Sequence, residues 1–417
     1  MSNLKVRQFL GSEPEAFYGY IVVAAAFCIM LAMWGSYIAF GVFFKPVSTD
    51  FGWSRAMTSV AFSLAMAVQG VLAIAMGAIT DRLGPRIILT LCGLLVGVGY
   101  LLMSQISAVW QLYLFYGMVI GIGMSGHLVP VLSTIARWFV AKRSMITGVV
   151  LAGGGMGTLT APLLANQLIS AYGWRTSYII MGSIVLVTVA LAAQFLRRDP
   201  AQMRQVPYGE NVRTEKPLKI EAEVFSLRES VGTRQFWLVF AIFICLSFCK
   251  FAVMVHIVSH ATDLGLSATT AASIVAVLGA LDIAGRVVLG NVADRIGNRQ
   301  VFIIAFVVIS AAFFWLAPAK ESWMLYLFAA VYGFVHAGAG AASSPLVAGF
   351  FGLRSHGLIF GVIGLGLTIG GTVGPFLAGY IFDVFGNYRV AWLVCAGISV
   401  VGLVLTTLLK PTARNVD

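Results

Sequence analysis

Charged side chains are scarce in this sequence: Asp, Glu, Lys and Arg make up 10% of its 417 residues, while 59% are hydrophobic. A soluble globular chain carries about 25% charged residues, so this composition excludes one. Apolar runs of more than about 18 residues recur along the chain, each long enough to cross a bilayer. Runs of this length are too long for barrel strands, and helices satisfy their own backbone polar groups in lipid. The sequence therefore predicts a polytopic all-α membrane protein.

We predict twelve membrane-spanning helices, called spans 1 to 12 in chain order. They cover residues 17–44, 54–80, 87–107, 110–136, 144–171, 174–195, 235–262, 267–293, 300–318, 322–350, 355–383 and 388–409. The first apolar segment is too long for the core of a signal peptide, and no small-residue cleavage site follows it. We expect this segment to remain as span 1.

Cysteines are few, and their positions exclude a metal site or a disulfide framework. None of the five has metal-ligand spacing, and Cys245 and Cys249 lie one helical turn apart in span 7. We interpret all five as small hydrophobic core residues. The glycine run 153–157 lacks the Lys-Ser/Thr of a phosphate loop, and no nucleophile elbow or haem ligand pair is present. We therefore expect no enzyme, cofactor or metal.

The net charge of +11 could suggest nucleic acid, but the positions of the cations indicate a membrane topology instead. Of 27 Lys and Arg residues, two lie inside spans and five fall in loops on one side: Lys45, Arg55, Arg175, Lys320 and Arg389. The remaining twenty lie in the tails and loops of the other side. This asymmetry follows the positive-inside rule and predicts that both termini are cytoplasmic, with no nucleic-acid partner.

Self-comparison reveals a repeat of 213 residues. At this spacing Trp110 aligns with Trp323 and Pro162 aligns with Pro375. The two Gly-x-x-x-Asp-Arg-x-Gly-x-Arg segments described in the next paragraph are also 213 residues apart. The repeat predicts an N-terminal six-helix bundle (1–195), a cytoplasmic linker (196–234) and a C-terminal six-helix bundle (235–417). The linker is the one long polar segment. It is either a solvated tether or includes a short amphipathic helix near 220–231 on the inner face.

Two Gly-x-x-x-Asp-Arg-x-Gly-x-Arg segments follow spans 2 and 8. Their glycines allow close helix approach, a carboxylate can cap a helix N-terminus, and arginines anchor the inner face. The segments resemble the signature loop of the major facilitator superfamily, which implies two pseudo-symmetric bundles with a substrate site between them and alternating access. Their signature residues are Gly77, Asp81, Arg82, Gly84, Arg86, Gly290, Asp294, Arg295, Gly297 and Arg299.

Within that superfamily the chain most resembles monocarboxylate porters, with oxalate–formate antiporters as a sister group. Three stretches carry the resemblance: residues 138–144, with Lys142 and Arg143, residues 281–286, and residues 383–388. The resemblance implies a small carboxylate as substrate. Two departures are informative. The family's lysine in span 1 is replaced by Ile38, and the antiporters' lysine in span 11 by Gly364, which favours a monocarboxylate over a dicarboxylate.

Span 8 carries the sole acid well inside the membrane, Asp282, four residues before Arg286. This spacing places both side chains on one helix face, and ionised groups at this depth face a cavity or a partner. The residues 213 positions earlier, in the N-terminal half, are Gln69 and Ala73. A pair required by the scaffold would occur in both halves, so its presence in one half favours a role in function. We predict that Arg286 binds the substrate carboxylate through its planar fork and that Asp282 carries the proton. A static ion pair that fixes packing is the alternative.

The remaining candidates are weaker. Lys250 in span 7 could supply the missing cation, pair with Asp282 or snorkel to the surface. A lone membrane histidine more often makes an interhelical bond, but His336 could contact substrate. The resemblance implies that Tyr37, Tyr116, Phe334 and Tyr332 lie on cavity-lining helices. These residues complete the predicted substrate site.

The sequence thus predicts a proton-coupled symporter for a lactate- or pyruvate-like monocarboxylate in a bacterial cytoplasmic membrane, acting as a monomer. An organic-anion exchanger is the alternative within transport, and an efflux pump comes third. A substrate sensor on a transporter scaffold usually adds a long cytosolic segment, whereas the tail here ends about eight residues after span 12.

Overall fold

The computed structural model describes residues 17–139, 143–209, 225–352 and 356–409. Almost all of these residues are helical, as predicted. Within the described ranges, β-structure is limited to one isolated bridge between Phe139 and Tyr208. The molecule is therefore the all-α protein that its composition indicates.

The spans of the N-terminal half correspond to long helices. They are Gly19–Ile38 and Phe40–Phe51 (span 1), Arg55–Leu83 (span 2), Pro85–Met103 (span 3), Val109–Trp138 (span 4) and Arg143–Gln194 (spans 5 and 6). Span 4 includes a π-helical stretch, Tyr113–Ile120. Gly173, with φ 76° and ψ 164°, separates span 5 from span 6 inside the longest helix.

The spans of the C-terminal half are single helices. They are Arg234–Asp263 (span 7), Ala268–Ile296 (span 8), Asn298–Leu316 (span 9), Ser322–Phe351 (span 10), His356–Phe385 (span 11) and Arg389–Thr407 (span 12). In the described part of the chain, eleven segments are long and apolar enough to cross a membrane. Dividing the longest of them at Gly173 gives the twelve predicted spans.

The predicted boundaries are wrong at the end of span 1 and at both signature segments. Span 1 continues past residue 44 to Phe51, because polar side chains in this last stretch have partners on other helices. The signature segments are not loops: their helices run to Leu83 and Ile296, and each turn is a single glycine. Spans 2 and 3, like spans 8 and 9, are thus joined almost directly.

The 213-residue repeat is visible in the turn geometry. Three pairs of glycines at this spacing have positive φ: Gly52 and Gly265 (64° and 87°), Gly84 and Gly297 (83° and 93°), and Gly173 and Gly386 (76° and 71°). Positive φ is readily adopted only by glycine, which lacks a Cβ. The repeated sequence therefore specifies the same turns in both halves.

The signature arginines also act in parallel. Arg86 Nε donates to Oε1 of Gln194 at 2.7 Å, and Arg299 Nη2 donates to the carbonyl of Thr407 at 2.8 Å. Both acceptor positions are again 213 residues apart. Each arginine therefore holds the end of the last span of its own half.

The other signature residues give a mixed outcome. Arg82 and Arg295 are exposed on the same face. The predicted close packing is wrong at Gly290, where an added Cβ would meet nothing within 4 Å. Lys142 lies outside the described residues. The side-chain surroundings of the remaining members also lie outside the described part of the structure; these members are Gly77, Asp81, Arg143 and Asp294.

The described ends of the linker dock onto the two halves at equivalent places. The amide of Tyr208 donates to the carbonyl of Trp138 at 2.9 Å, and the amide of Phe225 donates to that of Phe351 at 3.3 Å. A five-residue helix, Leu227–Val231, follows. Of the amphipathic helix considered for 220–231, residues 220–224 lie outside the described residues, and the described part is helical over Leu227–Val231. The linker is thus attached to the C-terminal ends of spans 4 and 10.

Among the described residues, the most extensive contacts between the halves join span 1 with span 7, span 2 with span 11, and span 5 with span 8. All five cysteines are free, and four are buried as predicted. The prediction of a core position is wrong for Cys28, which is exposed on span 1. Lys250 of span 7, which lies near Trp34 of span 1, and the Asp282–Arg286 pair of span 8 are close to this interface.

Candidate functional site

The two charged side chains of span 8 contact each other. Arg286 Nε donates to Oδ2 of Asp282 at 2.7 Å. The Asp282 side chain is 11% exposed and that of Arg286 35% exposed. The helix spacing thus produces the predicted ion pair, with the carboxylate deep and the guanidinium reaching open space.

The face of span 8 that carries this pair packs against the other half. Ile283 contacts Gly155 of span 5, and Gly279, one turn earlier, meets the backbone of Thr158. Asp282 lies between these two contacts in the sequence. The ion pair therefore lies at the junction of the halves, where alternating access would expose it to either side.

A close helix contact fixes span 8 from its other side. Gly285 lies directly against the carbonyl oxygen of Phe334 on span 10, where an added Cβ would collide with it. Small residues allow such approach between membrane helices. Phe334, a predicted pocket residue, is partly buried and contributes to the position of Asp282 and Arg286 through its backbone.

Lys250 supplies a second cation from span 7. Its Nζ lies 5.6 Å from the ring centroid of Trp34 on span 1 and 5.7 Å from that of Phe251. Such distances allow cation–π attraction. Among the described residues, no carboxylate lies within ion-pair distance of Lys250, so the pairing with Asp282 considered above is absent. Both Lys250 and Arg286 still lie within electrostatic range of Asp282.

His336 and Tyr332 approach the same carboxylate from span 10. Their rings stack with centroids 5.5 Å apart, and both residues are buried. His336 Nε2 and the Tyr332 hydroxyl have no hydrogen-bond partner among the described residues. Asp282 lies within electrostatic range of both rings. Span 10 therefore places two unpartnered polar groups near Asp282.

Tyr37 and Tyr116 are brought together in an aromatic cluster. Their rings stack with centroids 6.0 Å apart, and the Tyr116 hydroxyl donates to the Tyr37 carbonyl at 3.1 Å. The Tyr37 ring lies 6.0 Å from that of Trp34, which links the cluster to Lys250. Both tyrosines are fully buried. In this conformation both tyrosines belong to the buried aromatic cluster next to Trp34.

The other membrane histidines differ in their bonding. His256 bonds the hydroxyl of Tyr388 and the carbonyl of Pro375, a satisfied interhelical arrangement. His127 bonds a carbonyl of its own span and stacks on Trp34 with centroids 5.7 Å apart. His260 has an unpartnered Nε2 among the described residues. These contacts place only His127 beside the Lys250 site.

A second charged cluster, called the latch, joins the halves at one face of the bundle. Asp263, the last residue of span 7, accepts from Lys45 Nζ at 2.8 Å through Oδ1 and from Arg55 Nη2 at 2.6 Å through Oδ2. Lys45 and Arg55 belong to spans 1 and 2. One carboxylate of the C-terminal half therefore binds two cations of the N-terminal half.

Further contacts surround Arg55. Its Nη1 donates to the Tyr388 hydroxyl at 2.6 Å, and its guanidinium carbon lies 3.7 Å from the centre of the Phe382 ring. Asp383 accepts from the amides of Arg55 and Ala56 at 2.9 Å and 2.7 Å and so caps span 2. A carboxylate stabilises a helix N-terminus. This face of the molecule is closed by contacts between the halves.

Sequence reasoning missed Trp34 and the latch. Nothing local distinguishes Trp34 from other aromatic residues in the spans. Lys45 and Arg55 were counted as topological loop charges. One signal was available: Asp263 has an aspartate counterpart at the 213 shift, Asp50, and that residue also makes an ion pair, with Arg175 at 2.9 Å.

Comparison with protein families is consistent with this geometry. The family model described as Major Facilitator Superfamily matches residues 25–290 and 242–416. Among solved structures, a bacterial homolog of the human lysosomal transporter Spinster, inward-facing and unoccupied, superposes with a TM-score of 0.77. It shares 17% identity over 95% of this chain and 97% of its own. This likeness concerns the fold.

Curated relatives span nearly the whole chain. Monocarboxylate transporter 13 of Rattus norvegicus is 28% identical over 93% of this chain and 88% of its own. Monocarboxylate transporter 11 of Homo sapiens is 28% identical over 93% and 82%, respectively. MFS-type transporter 1 of Ophiocordyceps sp. (strain BCC 1869) is 27% identical over 93% and 84%. The resemblance to monocarboxylate porters is thus confirmed at the level of sequence similarity.

Proposed function

The chain belongs to the major facilitator superfamily, and from this premise we propose that it carries a small monocarboxylate across a membrane together with a proton. A membrane transporter rather than an enzyme follows from the family and its relatives. The substrate class rests on one observation, the contact between Arg286 and Asp282 at the junction of the halves. We propose lactate, pyruvate or a similar 2-hydroxy or 2-oxo acid.

The charges of the site support an anionic ligand. Lys250 and Arg286 contribute two positive charges within range of Asp282, which contributes one negative charge. A buried site with excess charge is stabilised by a ligand of opposite sign, because isolated charges are costly in a low dielectric. A monoanion that binds together with a proton on Asp282 leaves the net charge of the site unchanged.

The ion pair also suggests how a proton and the anion are coupled. In the empty site, deprotonated Asp282 holds the guanidinium of Arg286. Protonation of Asp282 releases the guanidinium, which then binds the substrate carboxylate through charge-assisted hydrogen bonds. Release of both on the other side restores the pair. Proton and monoanion cross together, so that the cycle carries no net charge.

The proposed topology follows from the distribution of cations. The face with the linker and the signature arginines carries most Lys and Arg, and we place it in the cytoplasm of a bacterial cell, with both termini. The latch then lies on the outer side.

His336 and Tyr332 would contact the substituent of the substrate, and Lys250 would stabilise the negative charge of the substrate. A monomer suffices, since the site lies between the halves of one chain.

An anion exchanger is the second candidate. One observation favours it: Lys250 has no carboxylate partner within ion-pair distance among the described residues, so a positive charge remains for a second anionic group. An exchanger needs no proton, and its uptake depends on an anion inside the vesicle. The two candidates therefore differ in a measurable requirement.

Uptake into proteoliposomes tests the proposal. Labelled lactate, pyruvate, acetate and oxalate are offered with and without an inward proton gradient. A symporter accumulates lactate or pyruvate only while the gradient lasts. Uptake that ignores the gradient and requires internal anion would identify an exchanger. Absence of uptake for every acid would contradict the assignment to carboxylates.

A further inference from the structure

The latch is asymmetric between the halves, and this asymmetry suggests a second role. Its two cations, Lys45 and Arg55, both belong to the N-terminal half, whereas its single carboxylate, on Asp263, belongs to the C-terminal half. The two carboxylate oxygens are divided between the cations, at 2.8 Å and 2.6 Å. Lys45 and Arg55 thus form a cradle, a pair of cations that together bind both oxygens of one carboxylate group.

Opening of this face must separate the halves, because the contacts that close it run between them. Asp263 would then withdraw with span 7, and Tyr388 and Phe382 with spans 11 and 12. Arg55 loses every side-chain partner described above, and Lys45 loses Asp263 and the hydroxyl of Thr262, 3.1 Å away. Two cations without partners would remain on the N-terminal half.

A cavity already leads to Lys45. It measures about 490 Å³ and lies between spans 1, 5, 6, 7 and 8, lined by Lys45, Asp50, Asn166, Trp174 and Thr262 among others. Asp50 is neutralised by Arg175 at 2.9 Å. The Lys45 side chain is 36% exposed. Lys45 is therefore the cation that lines this cavity, and Asp263 neutralises it as long as the latch is closed.

We propose that Lys45 and Arg55 form an encounter site for the substrate carboxylate on the latch face, which Asp263 occupies when this face is closed. The inference rests on the proposed function, since it requires an anionic carboxylate as substrate. An arriving anion takes the place of Asp263, stabilises the open state and passes inward to Arg286. Closure returns Asp263 to the cradle and displaces the anion from it.

Two substitutions separate this role from that of a latch alone. Asp263→Asn weakens the latch but leaves the cradle, so the KM for lactate at the latch face decreases. Lys45→Gln weakens both, and loss of a charge-assisted hydrogen bond raises that KM by about fivefold. If Lys45 served only the latch, both substitutions would shift the KM in the same direction.

The measurement uses right-side-out and inside-out membrane vesicles from cells that express the full chain. At the opposite face, KM stays unchanged in Lys45→Gln. Lys45→Arg restores the charge and keeps KM near the wild-type value, and Lys320→Gln, which removes another exposed cation from the latch face, has no effect. Parallel KM shifts in Lys45→Gln and Asp263→Asn, or no shift in either, would overturn the encounter site and leave the proposed function intact.

A second measurement needs no substitution. Salt screens exposed charges more strongly than buried ones, with a Debye length of about 30 Å at 0.01 M and about 8 Å at 0.15 M. The KM of the wild type at the latch face therefore rises with salt more than the KM at the opposite face. Equal salt dependence at both faces would overturn the proposal. No carboxylate transport at all by the wild type would overturn the proposed function and the encounter site with it.

Discussion

Arg286 reaches further into open space than the carboxylate that it contacts. Its side chain is 35% exposed and that of Asp282 11%, although Nε and Oδ2 are only 2.7 Å apart. Only Nε donates to Asp282 among the contacts of the described residues, and the guanidinium has four further N–H donors on its Nη atoms. A ligand can therefore meet Arg286 first, while Asp282 acts on that ligand through Arg286.

Replacement of Asp282 by Asn tests the proton carrier. Asn keeps the shape of the side chain and mimics the protonated state, so substrate can still bind to Arg286. It cannot release a proton, and gradient-driven accumulation of lactate should be lost. Counterflow of lactate between equal concentrations should remain, since it needs no net proton movement. Both rates are measured in proteoliposomes; accumulation with an unchanged pH dependence would rule out the carrier role.

Lys250 should contribute to affinity through its charge. Substitution by Met keeps the length and the contact with Trp34 but removes the cation. We expect the KM for lactate to rise about tenfold, the loss typical of a hydrogen bond or ion contact to a charged group. Cys245→Ser, one turn away on the same span, serves as the control. A KM equal to that of the wild type would remove Lys250 from the site.

Gly285 should be required for stability. An alanine Cβ at this position would collide with the Phe334 carbonyl, and overpacking costs about 1–3 kcal/mol. Gly285→Ala should lower the melting temperature of the detergent-solubilised protein. In the control Gly364→Ala, the new Cβ meets nothing within 4 Å, and the better helix propensity of alanine should leave the melting temperature equal or higher. The same melting temperature for both variants would contradict the close contact.

Tyr388→Phe should weaken the closed latch face without making it sensitive to pH. The hydroxyl accepts from Arg55 and bonds the buried His256, so its removal leaves polar groups unpaired at a cost of about 1–3 kcal/mol. Burial raises the pKa of Tyr388. A raised folded-state pKa keeps the phenol protonated, and its contribution is lost only above its unfolded value of about 10. The melting temperature should therefore fall equally between pH 6 and 9, and a loss confined to one end of this range would contradict the prediction.

Much of the fold could be predicted because its signals are local in the sequence. Apolar length gives the spans, and the 213-residue shift pairs Gly173 with Gly386, which share a positive φ. The end of span 1 could not be predicted. Lys45 and Asp50 are typical of a loop, and only their partners on spans 7 and 6 show why the helix continues.

The same distinction between local and long-range contacts decides which parts of the site could be predicted. Asp282 and Arg286 share one helix, so their spacing alone predicts their contact. Lys250 and Trp34 lie 216 positions apart, in different halves, and their proximity depends on how spans 1 and 7 meet. The latch is likewise built from spans 1, 2 and 7. Contacts between halves need the tertiary structure, and hydropathy does not contain them.

Substitution of Arg286 is the most direct test of the central claim. Lactate counterflow in proteoliposomes is compared for the wild type, Arg286→Ala, Arg286→Lys and the exposed linker variant Arg228→Ala. We predict loss of at least about 100-fold in Arg286→Ala, partial activity in Arg286→Lys, which keeps the charge without the fork, and no change in Arg228→Ala. Counterflow at the wild-type rate in correctly folded Arg286→Ala would contradict carboxylate binding by this residue.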